Sequence, residues 1–599
     1  MQSALKRSSD ADSSGAITPT SNRSLAQNLA GFGTLAEGLD YAAKGVTGFN
    51  FYSARGQLQH VLPYAELRRQ AMSTARKLLS LGLKRGDRVA VVAETGPEFM
   101  AVFFGCQYAG FIPCPMPYTM YIGGKDSYID RVAGMLAAAK AQTVVTGEDL
   151  LAHITEGAAR AGARRVLTHT ELQALPEAAA KLEPFQADED AYIQYSSGST
   201  SNPKGVLISQ KAIMANARGI MRHGMRLTPD DRAFSWLPLY HDMGLVGFFL
   251  SPAMGQVSVD FLATTSFARR PALWLKLMSD NKSTITYSPS FGYDLAGRRI
   301  NGDAVTLDLS RLRIAGIGGD MVRPDVLDSF AAHLSVAGFR PEAFLPSYGM
   351  AETTLAISFI DADAPIRIDS IDRHALKHEG RAIPARGANA RSFVVCGRPM
   401  PESTVEIRCE RGSVLGERAV GRIFVNTPSL MSGYYHNDQT TAAVVGQDGF
   451  LDTGDMGYWL DGEIVITGRA KDLILHNGRN IWPQDIEWVA EQIELLRSGD
   501  VAAFAVENDE GEDEVTVLVQ CRLQDMASVE ELRHEVAAVV HRSAGVECRV
   551  VMVPPKSLPF TSSGKLSRAA AKQKFLSGEI AELSGLSFAG GAESLEAAL

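Results

Sequence analysis

A chain of 599 residues exceeds what one hydrophobic core can organise and predicts two or more domains. With 45% hydrophobic and 21% charged residues, a net charge of −9 and a pI near 5.8, it reads as a globular protein whose main partner is not nucleic acid, because that needs a basic surface. The six cysteines are scattered, with no CxxC and no Cys/His cluster, which argues against structural zinc and for a reduced, cytoplasmic setting.

Residues 1–24 are rich in Ser, Ala and Asp and lack an apolar signal core, so they read as a disordered leader. From Thr34 the pattern becomes globular. YAELRRQAMSTARKLLSL (64–81) has the apolar spacing of an amphipathic helix, stopped at Gly82. RVAVVAE (88–94) is a β-rich run, 97–109 a helix, and 111–114 a strand. Short strands follow at 143–146 and 165–168. Strands alternating with helices predict an α/β fold with parallel sheets covered on both faces. No apolar run reaches membrane-spanning length: the richest, 99–117, is broken by Gln107 and by prolines.

YSSGSTSNPKGV (195–206) lies between the strand-like runs AYIQY (191–195) and VLIS (206–209). Hydroxyls, backbone amides and glycines in so tight a connection can fold around an anion, and Lys204 adds a point charge suited to phosphate. Gly198 and Lys204 lack the Walker spacing, and a strand rather than a helix follows. Composition alone also allows a Ser-rich surface turn. In LPLYHDMGL (237–245), His241 and Asp242 stand where a β-run breaks into a Gly-containing turn. RIAGIGGDM (313–321) is a strand entering a glycine turn without the GxGxxG spacing of a dinucleotide fingerprint. In SYGMAET (347–353), Tyr348 either packs in the core or stacks on a purine. Glu352 is either a surface acid or one oxygen ligand of Mg²⁺. In DTGDMG (452–457), Asp455 either turns the chain or accepts from a ribose diol. TGRAKDLILHNGRNIWPQDIE (467–487) and LPFTSSGKLSR (558–568) follow, and the acidic run ENDEGEDE (507–514) between them reads as a solvated hairpin loop.

In order and approximate spacing, these strings resemble the motifs of the acyl-adenylate-forming superfamily, which holds acyl-CoA synthetases, luciferases and nonribosomal adenylation domains. The resemblance covers nearly the whole chain. DYAAKGVTGFNFYSARG (40–56), CQYAGFIPCPMP (106–117) and DRHALKHEGRAIPA (372–385), closed by CGRP (396–399), look like one branch of it, the fatty acyl-AMP ligases. Ordinary acyl-CoA synthetases have a shorter connection at 372–385.

The resemblance implies a large N-terminal domain of layered αβ sheets with a β-rich subdomain (25–470, with the insertion at about 368–390). A small mobile α+β domain (471–578) and a mobile tail (579–599) would follow. It implies phosphate binding by Ser196, Ser197, Gly198, Ser199, Thr200, Lys204 and Thr353. Adenine and ribose would meet Gly318, Gly319, Asp320, Tyr348, Asp455 and Arg469. Met243, Phe291, Gly349 and Met350 would border the acyl pocket. His241, Glu352 with Mg²⁺, and Lys565 would act in catalysis, and Lys471 would be the hinge. The implied reaction spends ATP to turn a fatty acid into acyl-AMP and pyrophosphate. The acyl group then passes to the phosphopantetheine arm of a holo acyl carrier protein, for which Arg568, Lys572 and Lys574 offer a basic docking patch. Free coenzyme A as acceptor, in a long-chain acyl-CoA synthetase, is the alternative; a non-catalytic adenylate-binding domain is a remote one.

Overall fold

The computed structural model describes residues 25–118, 124–196, 203–300, 303–387, 389–476, 479–507, 513–561 and 566–583. The fold is α/β, as the alternation of strands and helices predicts. A nine-stranded sheet forms the backbone of the large domain. Its centre is parallel: Gly48–Tyr52, Ser258–Leu262, Arg232–Ser235, Ile285–Ser288, Ile314–Ile317 and Phe344–Gly349 lie side by side in that order. Antiparallel strands close both edges, Leu58–Pro63 at one and Ala356–Phe359 with Arg398–Pro399 at the other. A second, wholly parallel sheet orders Ile112–Met116, Arg88–Val92, Thr143–Thr146 and Arg165–Thr168.

Helices cover these sheets for reasons visible in their sequences. Tyr64–Leu79 buries Tyr64, Leu67, Ala71, Thr74, Ala75 and Leu78, one stripe at helical spacing. Pro97–Ala109 is apolar nearly all round because it is buried nearly all round; Pro opens it, and Gly110 ends it at φ +73°. Arg232 is locked into the parallel core by a bidentate pair with Asp260, both bonds 2.7 Å, and Asn50 donates to the same carboxylate at 2.8 Å. Those bonds join three neighbouring strands and satisfy a charge that burial would otherwise make costly.

An antiparallel β-subdomain follows, with Thr404–Arg408, Gly421–Asn426, Leu451–Leu460 and Glu463–Arg469 in order. Beyond it lies a three-stranded sheet, Val501–Glu507, Asp513–Gln520 and Arg549–Val553, packed with the helices Pro483–Ala490 and Met526–Ala544 around its own core. The first two of its strands are antiparallel neighbours, which makes the acidic run a hairpin connection; residues 508–512 themselves lie outside the described residues. Among the described residues no helix is long and apolar enough to cross a membrane.

Candidate active site

The central strands are parallel, so their C-terminal ends all open on one edge of the sheet. That edge is where open α/β sheets bind ligands. Arg232–Ser235 leads to Trp236 and His241, Ile285–Ser288 to Pro289, Ile314–Ile317 to Gly318–Gly319, and Phe344–Gly349 to Glu352. With Lys204, Arg469 and Lys471 these segments enclose a cavity of about 400 Å³. A second cavity, about 440 Å³, adjoins it and shares Gly319, Tyr348, Arg469 and Lys471 with the first. The helix Pro483–Ala490 supplies its far wall through Gln484, Glu487 and Trp488.

Two polar constellations stand at these cavities. In one, the Tyr348 hydroxyl donates to Asp455 Oδ2 at 2.8 Å while Arg469 Nε donates to Oδ1 at 3.1 Å. Asp455 and Arg469 are direct cross-strand partners, so sheet register puts them opposite each other. The Asp455 carboxylate holds the Arg469 guanidinium above its ordinary range, and burial pushes the Tyr348 phenol far up. In the other, the Tyr434 hydroxyl donates to Glu352 Oε1 at 2.8 Å, and Lys204 Nζ lies 4.8 Å from the centre of the Tyr434 ring. Burial raises Glu352 above the usual carboxylate range, although the Tyr434 bond works against that. Tyr434 is there because Gly433–Tyr434 pairs with Leu207 and Val206 across more than two hundred residues of chain.

His241 is buried and lines the cavity beside Tyr240, whose carbonyl accepts from Gln194 Nε2 at 2.7 Å. Met243, Gly349 and Met350 line the same cavity. Gly349 has no substitute there: a Cβ would stand 1.8 Å from the Leu355 carbonyl oxygen. Lys471 lines both cavities, and desolvation followed by the charge of Arg469 lowers its amine.

The geometry separates some residues that the motifs group together. Phe291 and Asp320 line the second cavity instead of the first, and Phe291 meets Trp236 edge-on at 5.8 Å. Thr353 is fully buried, and its hydroxyl donates to the Met350 carbonyl at 3.0 Å. Arg568 is not part of an exposed basic patch: it makes a two-pronged pair with Glu487 and a 3.0 Å pair with Asp472. Ser197, Gly198, Ser199, Thr200 and Lys565 lie outside the described residues, and Ser196 ends the strand Asp190–Ser196. Gln194, Trp236 and Tyr434 carry no motif of their own; only strand pairing and the cavity reveal them.

Among the described residues no cluster of three or more His, Cys, Asp or Glu side chains could cage a metal. One buried carboxylate, lifted by burial, fits Mg²⁺ bound mainly through phosphates and waters, with Glu352 as its protein ligand.

Fold and site together define an adenylate-forming ligase. The chain belongs to the AMP-binding enzyme family: that family's model matches residues 51–435, and the model for the AMP-binding enzyme C-terminal domain matches 478–572. Within it the chain falls in the fatty acyl-AMP ligase branch. A solved structure from studies of fatty acyl-adenylate ligases from E. coli and L. pneumophila superposes with TM-score 0.89 at 43% identity, covering 92% of this chain and 100% of that one. A Caulobacter vibrioides relative named "Putative acyl-CoA synthetase" is 49% identical over 94% of this chain and 98% of its own length. The medium-chain-fatty-acid–[acyl-carrier-protein] ligase JamA of Moorena producens is 31% identical over 92% and 96%.

Proposed function

We propose that this enzyme activates a fatty acid as acyl-AMP, releasing pyrophosphate, and transfers the acyl group to the phosphopantetheine thiol of a holo acyl carrier protein. In the first step a carboxylate oxygen bonds the α-phosphorus of ATP and the bond to the β-phosphate oxygen breaks. The nucleophile is already ionised at neutral pH, so no general base is needed. The task is to bring two anions together, and the cationic side chains at the cavity do that work. Lys204 and the 195–206 loop hold the phosphates, His241 stands by the reacting carboxylate, and Lys565 stabilises charge at the α-phosphorus. Tyr348, with Gly318, Gly319 and Asp320, receives adenine; Asp455 and Arg469 receive ribose. Mg²⁺, when bound near Glu352, neutralises charge spread over the phosphate oxygens. In the second step the thiol sulfur bonds the acyl carbon and AMP leaves. A reaction that spends ATP and acylates a thiol belongs in the reducing cytoplasm.

One observation carries the choice of acceptor. The hairpin Ile368–Asp372 with Ala390–Val394, and the short helix Arg373–His378 between them, pack on the small domain. Arg391 is buried there, 2.8 Å from Asp485, with its guanidinium over the rings of Phe393 and Trp482. An element that grips the small domain restrains the rotation needed to seat free coenzyme A. The Caulobacter relative's name favours the second reading, an acyl-CoA synthetase. Purified enzyme given ATP, Mg²⁺ and a fatty-acid pool separates the two by mass spectrometry. Acyl-adenylate and acyl-carrier protein with little acyl-CoA is the expected result; equal turnover with free coenzyme A sinks the carrier assignment.

A further inference from the structure

Part of the lining of the first cavity is apolar and can be taken as an arm for a tail. Ile220, Met225, Phe248, Leu355, Ala356 and Phe359 line it. Two of its walls are π-helical turns, Ile220–Gly224 and Leu245–Leu250, a backbone geometry that widens a helix and tends to mark functional sites.

Gly247 sits on the second of these turns and lines the arm. A Cβ built there meets only Leu355 Cδ2, at 3.6 Å, which is ordinary contact. A longer side chain would therefore extend into the open arm. Phe359 marks the other level. It follows Leu355 by four residues, roughly 13 Å of extended chain. Its ring lies directly on the bare backbone of Gly224, where a Cβ would stand 2.8 Å from the ring carbons Cδ2 and Cε2. Phe359 is fixed in place as a wall, and Gly247 is a gap in one.

From this geometry we infer that Gly247 and Phe359 set the acyl chain length that the enzyme accepts. Gly247 keeps the near end of the arm open and Phe359 closes the far end. The inference rests on the fatty-acid reading above and deepens it. The arm takes an apolar tail, and the two residues act on its length with opposite sign.

The test measures pyrophosphate release by the full-length enzyme with ATP, Mg²⁺ and a series of saturated fatty acids from short to long. For Gly247→Leu the ratio of long-chain to short-chain turnover falls at least about tenfold, and for Phe359→Ala it rises by a similar factor, the scale of a methylene or two in an apolar pocket. Gly247→Ala gives a smaller shift of the same sign as the leucine variant and serves where that one does not fold. Ratios that stay at the wild-type value, or that move in the same direction for both positions, overturn the inference alone. Wild type that adenylates no fatty acid of any length overturns the reading beneath it as well.

Discussion

At the scale of single residues, the site shows how burial sets what a side chain can do. Glu352 is raised by burial and steadied by the Tyr434 hydroxyl at 2.8 Å. Tyr434→Phe keeps the ring under Lys204 but deletes that bond. The Mg²⁺ concentration for half-maximal ATP–pyrophosphate exchange is then expected to rise about 10- to 100-fold, the usual effect of losing a partner behind a metal ligand. An unmoved Mg²⁺ requirement removes Tyr434 from that role. Lys565, in the SSGK string, is argued from sequence and chemistry alone. Lys565→Ala should cut adenylate formation at least about 10²-fold, the scale of losing one preorganised donor, while ATP binding measured by calorimetry survives. Adenylate formation near the wild-type rate ends its catalytic role.

At the scale of elements, the small domain is held by a buried pair whose partners are both pushed toward neutrality. Burial lowers Arg391 and raises Asp485, so desolvation outweighs their attraction. Arg391→Met takes away the cation paired with Asp485 and leaves only the weaker pull of Arg373 and Lys377, at a cost of up to about 3 kcal/mol. Arg391→Met with Asp485→Leu should recover most of that stability in urea unfolding. A double variant no better than the single one means that the pair is not coupled. Strands were the most legible elements: 143–146 and 165–168 stand where the β-rich runs predict, the first buried throughout and the second at the sheet's edge, because β-branched and apolar residues suit a covered parallel sheet. The helix from Tyr64 ends at Leu79, two residues short of the predicted end at Leu81, with Ser80 as its cap. Local pattern could not show Tyr434, which reaches Glu352 through a two-residue strand. Nor could it show that Phe291 turns to the second cavity, because motif adjacency does not fix side-chain direction. Nor could it show that Arg568 is withdrawn from the expected docking patch, because its partners, Glu487 and Asp472, are distant in sequence.

At the scale of the whole molecule, Lys471 is the proposed hinge between the two domains. It lies in the single 3₁₀ turn Ala470–Asp472 between Glu463–Arg469 and the small domain. A proline suits the φ of such a turn, so Lys471→Pro should preserve the present arrangement and forbid the rotation away from it. Adenylation is expected to continue while acyl transfer to the carrier falls sharply; Lys471→Ala, which keeps backbone freedom, controls for the lost amine. Equal loss of both steps in the proline variant alone identifies Lys471 as structural and not a hinge.

The burial of Glu491 makes the small domain a proton acceptor, although the Gly499 amide and the Arg323 charge both oppose it. Glu491 lies 3.3 Å from Arg323, but Arg323 also pairs with Asp325 at 2.8 Å. Burial wins, and the Glu491 carboxyl is pushed up from 4.5 to about 8. A carboxyl raised on folding binds its proton more tightly in the native state than in the unfolded one. Between about pH 4.5 and pH 8 folding therefore takes up a proton, and stability falls as pH rises through that window. The integrated loss is on the order of a few kcal/mol. Glu491→Gln, neutral at every pH, should flatten this part of the stability profile in urea titrations across that range. A wild-type profile that rises with pH there, or a Gln variant with an unchanged slope, rules Glu491 out as the linked group. The same residue that lines the second cavity thus ties the standing of the small domain to the proton activity around it.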